Sequence, residues 1–327
     1  MFLRARDGWP LHERPLPGLV CEQSFKPEAD ALARAGVAVN VPGAAKTYEL
    51  VLILPPRQRD EARALMARAV AMTKPGGRII VSQSNDEGAR SSEADLAQLT
   101  GEVETMSKNK CRVFWTASLA RLNVSLIAHW QELDAPRPIA EGRFMSRPGI
   151  FAWDRIDVAS ALLAEHLPKT LAGRAADLGA GFGYLSAELL TRCPGITALD
   201  VYEAENRALE LARVNLQSFE ARTPIDYRWH DVAAGLPDTY DVIVTNPPFH
   251  AQRGIDRPDI GRRFIAVAAD SLRPGGKLWL VANRHLPYEN VLSESFESVR
   301  AVAQQHGYKI IEAVRAKSAR KSDKAAR

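Results

Sequence analysis

The chain has 327 residues, 46% of them hydrophobic, with a formal net charge of +4, enough for two packed domains and mildly biased toward acidic partners such as RNA without establishing one. No apolar run reaches a membrane span, and the stretch from Met1 to Pro17 mixes charge and proline without an apolar core, so a cytoplasmic protein is expected. Cys21, Cys111 and Cys193 stand too far apart for a CxxC pair or a Cys/His cluster, which argues against both zinc and a disulfide framework.

In chain order, the first clear strand is Tyr48-Glu49-Leu50-Val51-Leu52-Ile53-Leu54, stopped by Pro55-Pro56. A helical stretch then leads to Lys74-Pro75-Gly76-Gly77, a turn that opens a strand at Arg78-Ile79-Ile80-Val81. The proline- and charge-rich segment Glu132 to Ile139 reads as a linker. Beyond it, Ala175-Ala176-Asp177-Leu178-Gly179-Ala180-Gly181-Phe182-Gly183-Tyr184 predicts a strand, a glycine turn and the start of a helix over Leu185 to Thr191. Cys193 beside Pro194 is expected as a small buried thiol at that helix's end. A strand over Ile196 to Tyr202 ends at Glu203, a helix follows over Ala204 to Asn215, and a short strand over Ile225 to Trp229 precedes Asp231. The β-branched run Tyr240-Asp241-Val242-Ile243-Val244-Thr245 ends abruptly at Asn246-Pro247-Pro248-Phe249. Arg273-Pro274-Gly275-Gly276 then opens another strand, and Val314 to Arg327 is a basic stretch without apolar periodicity, expected as a solvated tail.

Two of these segments repeat. Tyr48 to Pro56 echoes Tyr240 to Pro248, and Lys74 to Val81 echoes Arg273 to Leu280, in the same order around a helical stretch. Duplication of an α/β unit explains this shared order better than chance. The copies differ where chemistry would sit: Leu54 replaces Asn246 and Arg57 replaces Phe249.

The glycine turn does not fit a dinucleotide fingerprint, because the third glycine of Gly179, Gly181 and Gly183 comes one residue early. An acid two residues ahead of the first glycine, Asp177, suits an ammonium-bearing ligand, and S-adenosylmethionine fits better than NAD. Glu203 is placed to accept from both ribose hydroxyls, with Asp200 as a competitor, and Asp231 to accept from the adenine amino group. Taken singly, each acid could be a helix cap or turn residue. An isolated Asn-Pro-Pro is equally a strand end closed by a turn, but after these acids it reads as a grip for a planar exocyclic amine.

With these residues in place, the C-terminal half resembles a class I S-adenosylmethionine-dependent methyltransferase. More closely, the whole chain resembles the RsmC-type ribosomal RNA guanine-N2 methyltransferases, which pair a degenerate methyltransferase-like domain with a catalytic one. The resemblance rests on Phe151-Ala152-Trp153-Asp154-Arg155-Ile156-Asp157-Val158-Ala159-Ser160, Asp177 to Gly183, Asn246-Pro247-Pro248-Phe249-His250, Pro274-Gly275-Gly276 and Val281 to Tyr288. It covers Gly149 to about Ala313 well and the first half loosely; Ala159 departs from a frequent glycine.

It implies an α/β fold of two Rossmann-like domains: 1–134 degenerate, 135–140 linker, 141–313 catalytic and 314–327 a basic disordered tail. The first would dock RNA or support its partner. Asn246 and the Pro247 carbonyl would accept the two amine hydrogens, and Phe249 would stack on the base. Asp154 would help hold the cofactor or cap the next helix, and His250 is a weaker candidate for a proton acceptor. Small-subunit ribosomal RNA is the favoured substrate, with no membrane, no metal and a monomer expected. N6-adenine or protein-glutamine methylation would use the same grip. An RNA-binding assembly factor with a relic site suits the first half only.

Overall fold

The computed structural model describes residues 1–14, 16–40, 46–248 and 258–317. The chain divides into two compact units, Met1–Arg155 with Glu205–Arg207, and Ile156–Ala204 with Ala208–Arg327.

In the first unit, strands β1 (Phe2–Leu3), β2 (Cys21–Glu22), β3 (Val39–Asn40), β4 (Tyr48–Ile53), β5 (Thr73–Ser84), β6 (Val103–Lys108) and β7 (Cys111–Thr116) form one sheet in the order β3-β2-β1-β4-β5-β7-β6. Among these strands only β7 runs against the rest, pairing antiparallel with both β5 and β6, and with β6 it closes one edge as a hairpin. The helix Arg59–Ala71 connects β4 to β5 and buries Leu65, Met66 and Val70 in a core with Val51, Ile53, Ile79 and Phe114. Beyond this sheet the proline-rich segment contributes β8 (Arg137–Ile139), paired antiparallel with β9 (Phe144–Ser146).

The second unit repeats the plan. Strands β10 (Ala172–Leu178), β11 (Gly195–Glu203), β12 (Ile225–Trp229), β13 (Tyr240–Thr245), β14 (Leu272–Asn283), β15 (Ser298–Gln305) and β16 (Tyr308–Val314) lie in the order β12-β11-β10-β13-β14-β16-β15. Central strands of a parallel sheet are covered on both faces, which is why Val242 to Val244 reads as a continuous apolar run and is buried, as are Ala175, Ala176 and Leu178 around the buried acid Asp177. The helix Tyr184–Arg192 buries Leu185, Leu189 and Leu190, and the helix Asn206–Leu216 buries Leu209, Leu211 and Leu216. Cys193 caps the former, with its Sγ directed at the Pro168 carbonyl at 3.4 Å. Val314, counted with the tail in the sequence, is the last residue of β16.

The Pro-Gly-Gly segments lie inside the long strands β5 and β14, at register shifts against β4 and β13, and are not free turns. Their first glycines share a left-handed backbone, with φ 80° at Gly76 and 79° at Gly275. A Cβ on the second glycine would come within 2.8 Å of the Glu49 carbonyl oxygen at Gly77 and 2.9 Å of the Arg273 carbonyl oxygen at Gly276. Both segments also tie back to a neighbouring chain in the same way: Gly76 to Leu119 with Leu119 to Gly77, and Gly275 to Arg315 with Arg315 to Gly276. Backbone packing alone requires these glycines, so both copies keep them.

Candidate active site

In an open parallel sheet, ligands sit at the carboxyl ends of the strands where the strand order reverses. In the second unit that point lies between β10 and β13, paired through Asp177–Val244 and Leu178–Thr245. Thr245 Oγ1 donates to the Leu178 carbonyl at 2.7 Å, fixing Asn246 beside the glycine turn.

Asn246 is partly buried, and its two amide ends have different fates. Nδ2 donates to Asp157 Oδ2 at 3.0 Å and to Ser160 Oγ at 2.9 Å. Oδ1 is buried and has no hydrogen-bond donor among the described residues. An unsatisfied buried carbonyl oxygen costs about 1–3 kcal/mol, so a ligand N–H placed against it would be bound by an acceptor already stripped of water. Pro247 beside it is buried. Phe249 and His250 lie outside the described residues.

The glycine turn is left-handed at Gly179, Gly181 and Gly183, with φ of 74°, 57° and 91°. Its amides face the protein: Gly179 and Ala180 donate to the Tyr202 carbonyl at 2.9 and 3.0 Å, Gly181 to Glu203 Oε2 at 2.7 Å, and Gly183 to the Ala180 carbonyl at 2.9 Å. These four N–H groups are thus turned away from any pyrophosphate, which separates this turn from a dinucleotide site more sharply than glycine spacing does. A Cβ on Gly181 would meet nothing within 4 Å among the described residues, leaving space over the turn.

Asp177 is fully buried; Ser186 Oγ donates to its Oδ2 at 2.7 Å, and its Oδ1 has no donor among the described residues. Burial, with a lesser contribution from the charge of Glu203 and opposed by Ser186, pushes its pKa up to about 7. Glu203 ends β11, and the His230 amide donates to its carbonyl at 3.0 Å. Asp231 follows β12 and caps the short 3-10 turn Val232–Ala234, its Oδ1 accepting from the Ala233 amide at 2.9 Å. The carboxyl ends of β10, β11, β12 and β13 thereby carry Asp177, Glu203, Asp231 and Asn246. Asp154 falls in the first unit's closing segment, where Arg155 donates to its Oδ1 at 2.8 Å.

Asp200, the competitor to Glu203, has a structural explanation. It accepts from Arg174 Nη2 at 2.8 Å and from the Tyr240 hydroxyl at 2.6 Å, and pairs with Arg228 at 3.3 Å. The Tyr202 hydroxyl lies 2.6 Å from that of Tyr240, and burial raises the pKa of both tyrosines, keeping them neutral. This network holds β11 to β10, β12 and β13 beneath the site.

Sequence reasoning missed Asp157 and Ser160. Asp157 caps the helix Val158–His166, accepting from the Ser160 amide at 2.8 Å, and Asp followed by Ser three residues later was a visible capping signal. Nothing local tied it to Asn246, 89 residues away. Ala159 packs fully buried in this helix.

The site's features suit S-adenosylmethionine: a buried acid with one oxygen unmatched for an ammonium, an open glycine turn, and a strand-end carboxylate. A doubly wound sheet bearing such a turn and an Asn-Pro-Pro strand end defines a methyltransferase, and the model of the family described as Methyltransferase small domain matches residues 141–312. The protein from Shewanella halifaxensis named Ribosomal RNA small subunit methyltransferase C is 30% identical over 271 residues, 81% of this chain and 77% of that one. Its namesake from Psychromonas ingrahamii is 27% identical over 82% of this chain and 76% of its own. A solved structure of the 16S rRNA N2 G1207 methyltransferase (RsmC) of T. thermophilus, in complex with AdoMet and guanosine, superposes with a TM-score of 0.76 at 26% identity, covering 92% of this chain and 84% of that one. This chain belongs to the ribosomal RNA small subunit methyltransferase C family. It is an S-adenosylmethionine-dependent methyltransferase of class I fold.

No helix among the described residues is long and apolar enough to cross a membrane. The described residues also contain no group of three or more His, Cys, Asp or Glu placed to hold a metal.

Proposed function

We propose that this enzyme methylates the exocyclic N2 of guanine in small-subunit ribosomal RNA, with Asn246 as the amine grip. The observation that carries this reading is the buried, unmatched Asn246 Oδ1 at the strand switch point. Oδ1 and the Pro247 carbonyl accept the two N2 hydrogens, which draws the nitrogen lone pair out of conjugation and orients it. Phe249 stacks on the base, which must be unpaired or flipped out to reach the site. Asp177, Glu203 and Asp231 would hold the ammonium, ribose and adenine ends of the cofactor. S-adenosylmethionine supplies an electrophilic sulfonium methyl. The N2 lone pair forms the new N–C bond as the methyl–sulfur bond breaks, the bonding pair stays with sulfur, and the extra proton leaves the nitrogen for water. Positioning and electrostatics lower the barrier without a covalent enzyme intermediate. The likeness to a methyltransferase solved with AdoMet and guanosine supports guanine over adenine or an amide.

Asn246→Ala is expected to leave cofactor affinity within about twofold while reducing methyl transfer by at least about a hundredfold. Calorimetry with S-adenosylmethionine and labelled-methyl incorporation into small-subunit RNA read the two effects separately. Nucleoside mass spectrometry of ribosomal RNA from cells with and without the protein tests the base; unaltered N2-methylguanosine would exclude the reading. The first unit is assigned to RNA docking. A chain starting near Arg137 is expected to bind cofactor but to lose activity on the ribosomal substrate, and full activity would exclude docking.

A further inference from the structure

We infer that Asp157 and Ser160 form an orientation lock on the Asn246 amide, making Asp157 a positioning residue for methyl transfer. The inference rests on the reading of Asn246 as the amine grip. The two ends of an asparagine amide are nearly equal in size, and only the oxygen can accept from an amine. At Asn246 the choice is fixed from behind: Nδ2 donates to Asp157 Oδ2 at 3.0 Å and to Ser160 Oγ at 2.9 Å. Flipping the amide would set Oδ1 against a carboxylate oxygen, replacing a charge-assisted hydrogen bond with two facing acceptors.

The same Asp157 Oδ2 accepts from the Ser160 amide at 2.8 Å, so capping the helix and holding the amide are a single arrangement. Ser160 is itself only 8% exposed, so solvent does not compete strongly for its hydroxyl. The helix start therefore delivers both acceptors to one strand end. The carboxylate also acts through the amide: an anion on the N–H side increases the negative charge on Oδ1. Because the amine nitrogen becomes cationic as its bond to the methyl group forms, this effect is larger in the transition state than in the bound substrate and belongs in kcat.

The test uses the full chain with small-subunit RNA as substrate. Asp157→Ser keeps a helix-capping oxygen but is one bond too short to reach Asn246. It is expected to lower kcat by about ten- to a hundredfold, with S-adenosylmethionine affinity within about twofold of the parent. Asn246→Asp opposes two carboxylates and should be almost inactive. Parental kcat in Asp157→Ser alongside an inactive Asn246→Ala would overturn the lock while leaving the grip intact. Parental activity in Asn246→Ala would instead remove the grip and the lock together.

Discussion

Asp177 is the residue whose chemistry depends most on a partner that the chain does not itself provide. It is buried with one oxygen unmatched among the described residues, and its pKa is raised from 3.8 to about 7. An acid with a raised folded pKa keeps its proton in the folded chain while the unfolded chain has lost it. Between pH 3.8 and about 7 the folded state therefore binds more protons, and this residue's contribution to stability falls as pH rises. A cationic ligand has the opposite preference, because an ammonium beside Asp177 favours the carboxylate. S-adenosylmethionine affinity should therefore strengthen as pH rises toward about 7 and then level off, with proton release on binding below that point. Calorimetry in buffers of different ionisation enthalpy measures the protons directly. Asp177→Asn should bind weakly and without that pH dependence, and an unchanged slope would assign the titration to another group.

At the scale of elements, what could be read from sequence divides by the range of the interaction responsible. The β13 strand with its proline stop, the glycine turn, the strand-end acids and the repeated Pro-Gly-Gly segments were legible because local conformation dictates their residues. The two-residue strands β1, β2 and β3 were not, because neither a period nor a run can develop over two positions. Nor were the pairings of Asp157 with Asn246 or of Asp200 with Arg174 and Tyr240, which exist only once distant strands and helices are assembled. The glycines also separate by role. Gly276→Ala drives a Cβ against backbone at 2.9 and 3.1 Å and should destabilise the fold by about 1–3 kcal/mol with little specific effect on cofactor affinity. Gly181→Ala should cost only roughly 1 kcal/mol for its positive φ, its Cβ having no neighbour within 4 Å among the described residues. That methyl would instead occupy the space assigned to the cofactor and weaken affinity by about tenfold or more. Thermal melts paired with calorimetry distinguish the two, and equal affinity losses would place both glycines in one role.

On the scale of the whole molecule, the two sheets share one strand order, and their registers align the sites residue by residue. Leu3 pairs with Glu22 and Ile53 as Leu178 pairs with Tyr202 and Thr245. Phe2 therefore stands at the position of Asp177, Arg4 at Gly179, Gln23 at Glu203 and Leu54 at Asn246. The backbone keeps its old course, since Arg4 retains a φ of 52° where Gly179 has 74°, and the Ala5 amide still donates across to β2 at 3.1 Å. The chemistry is gone. Gln23, 5% exposed, donates its Nε2 to the Ala5 carbonyl at 2.7 Å, and the Arg4 guanidinium pairs with Glu61 at 2.9 Å. A neutral amide bound to its own loop cannot replace a carboxylate for two ribose hydroxyls, and an arginine in place of the first glycine repels an ammonium. The full chain should accordingly bind one S-adenosylmethionine, not two, and Glu203→Ala should weaken that single site without revealing a second. Calorimetric stoichiometry on the intact protein decides this: one equivalent in the parent and a single weaker equivalent in the variant are expected, whereas two equivalents would mean that the first sheet still holds the cofactor.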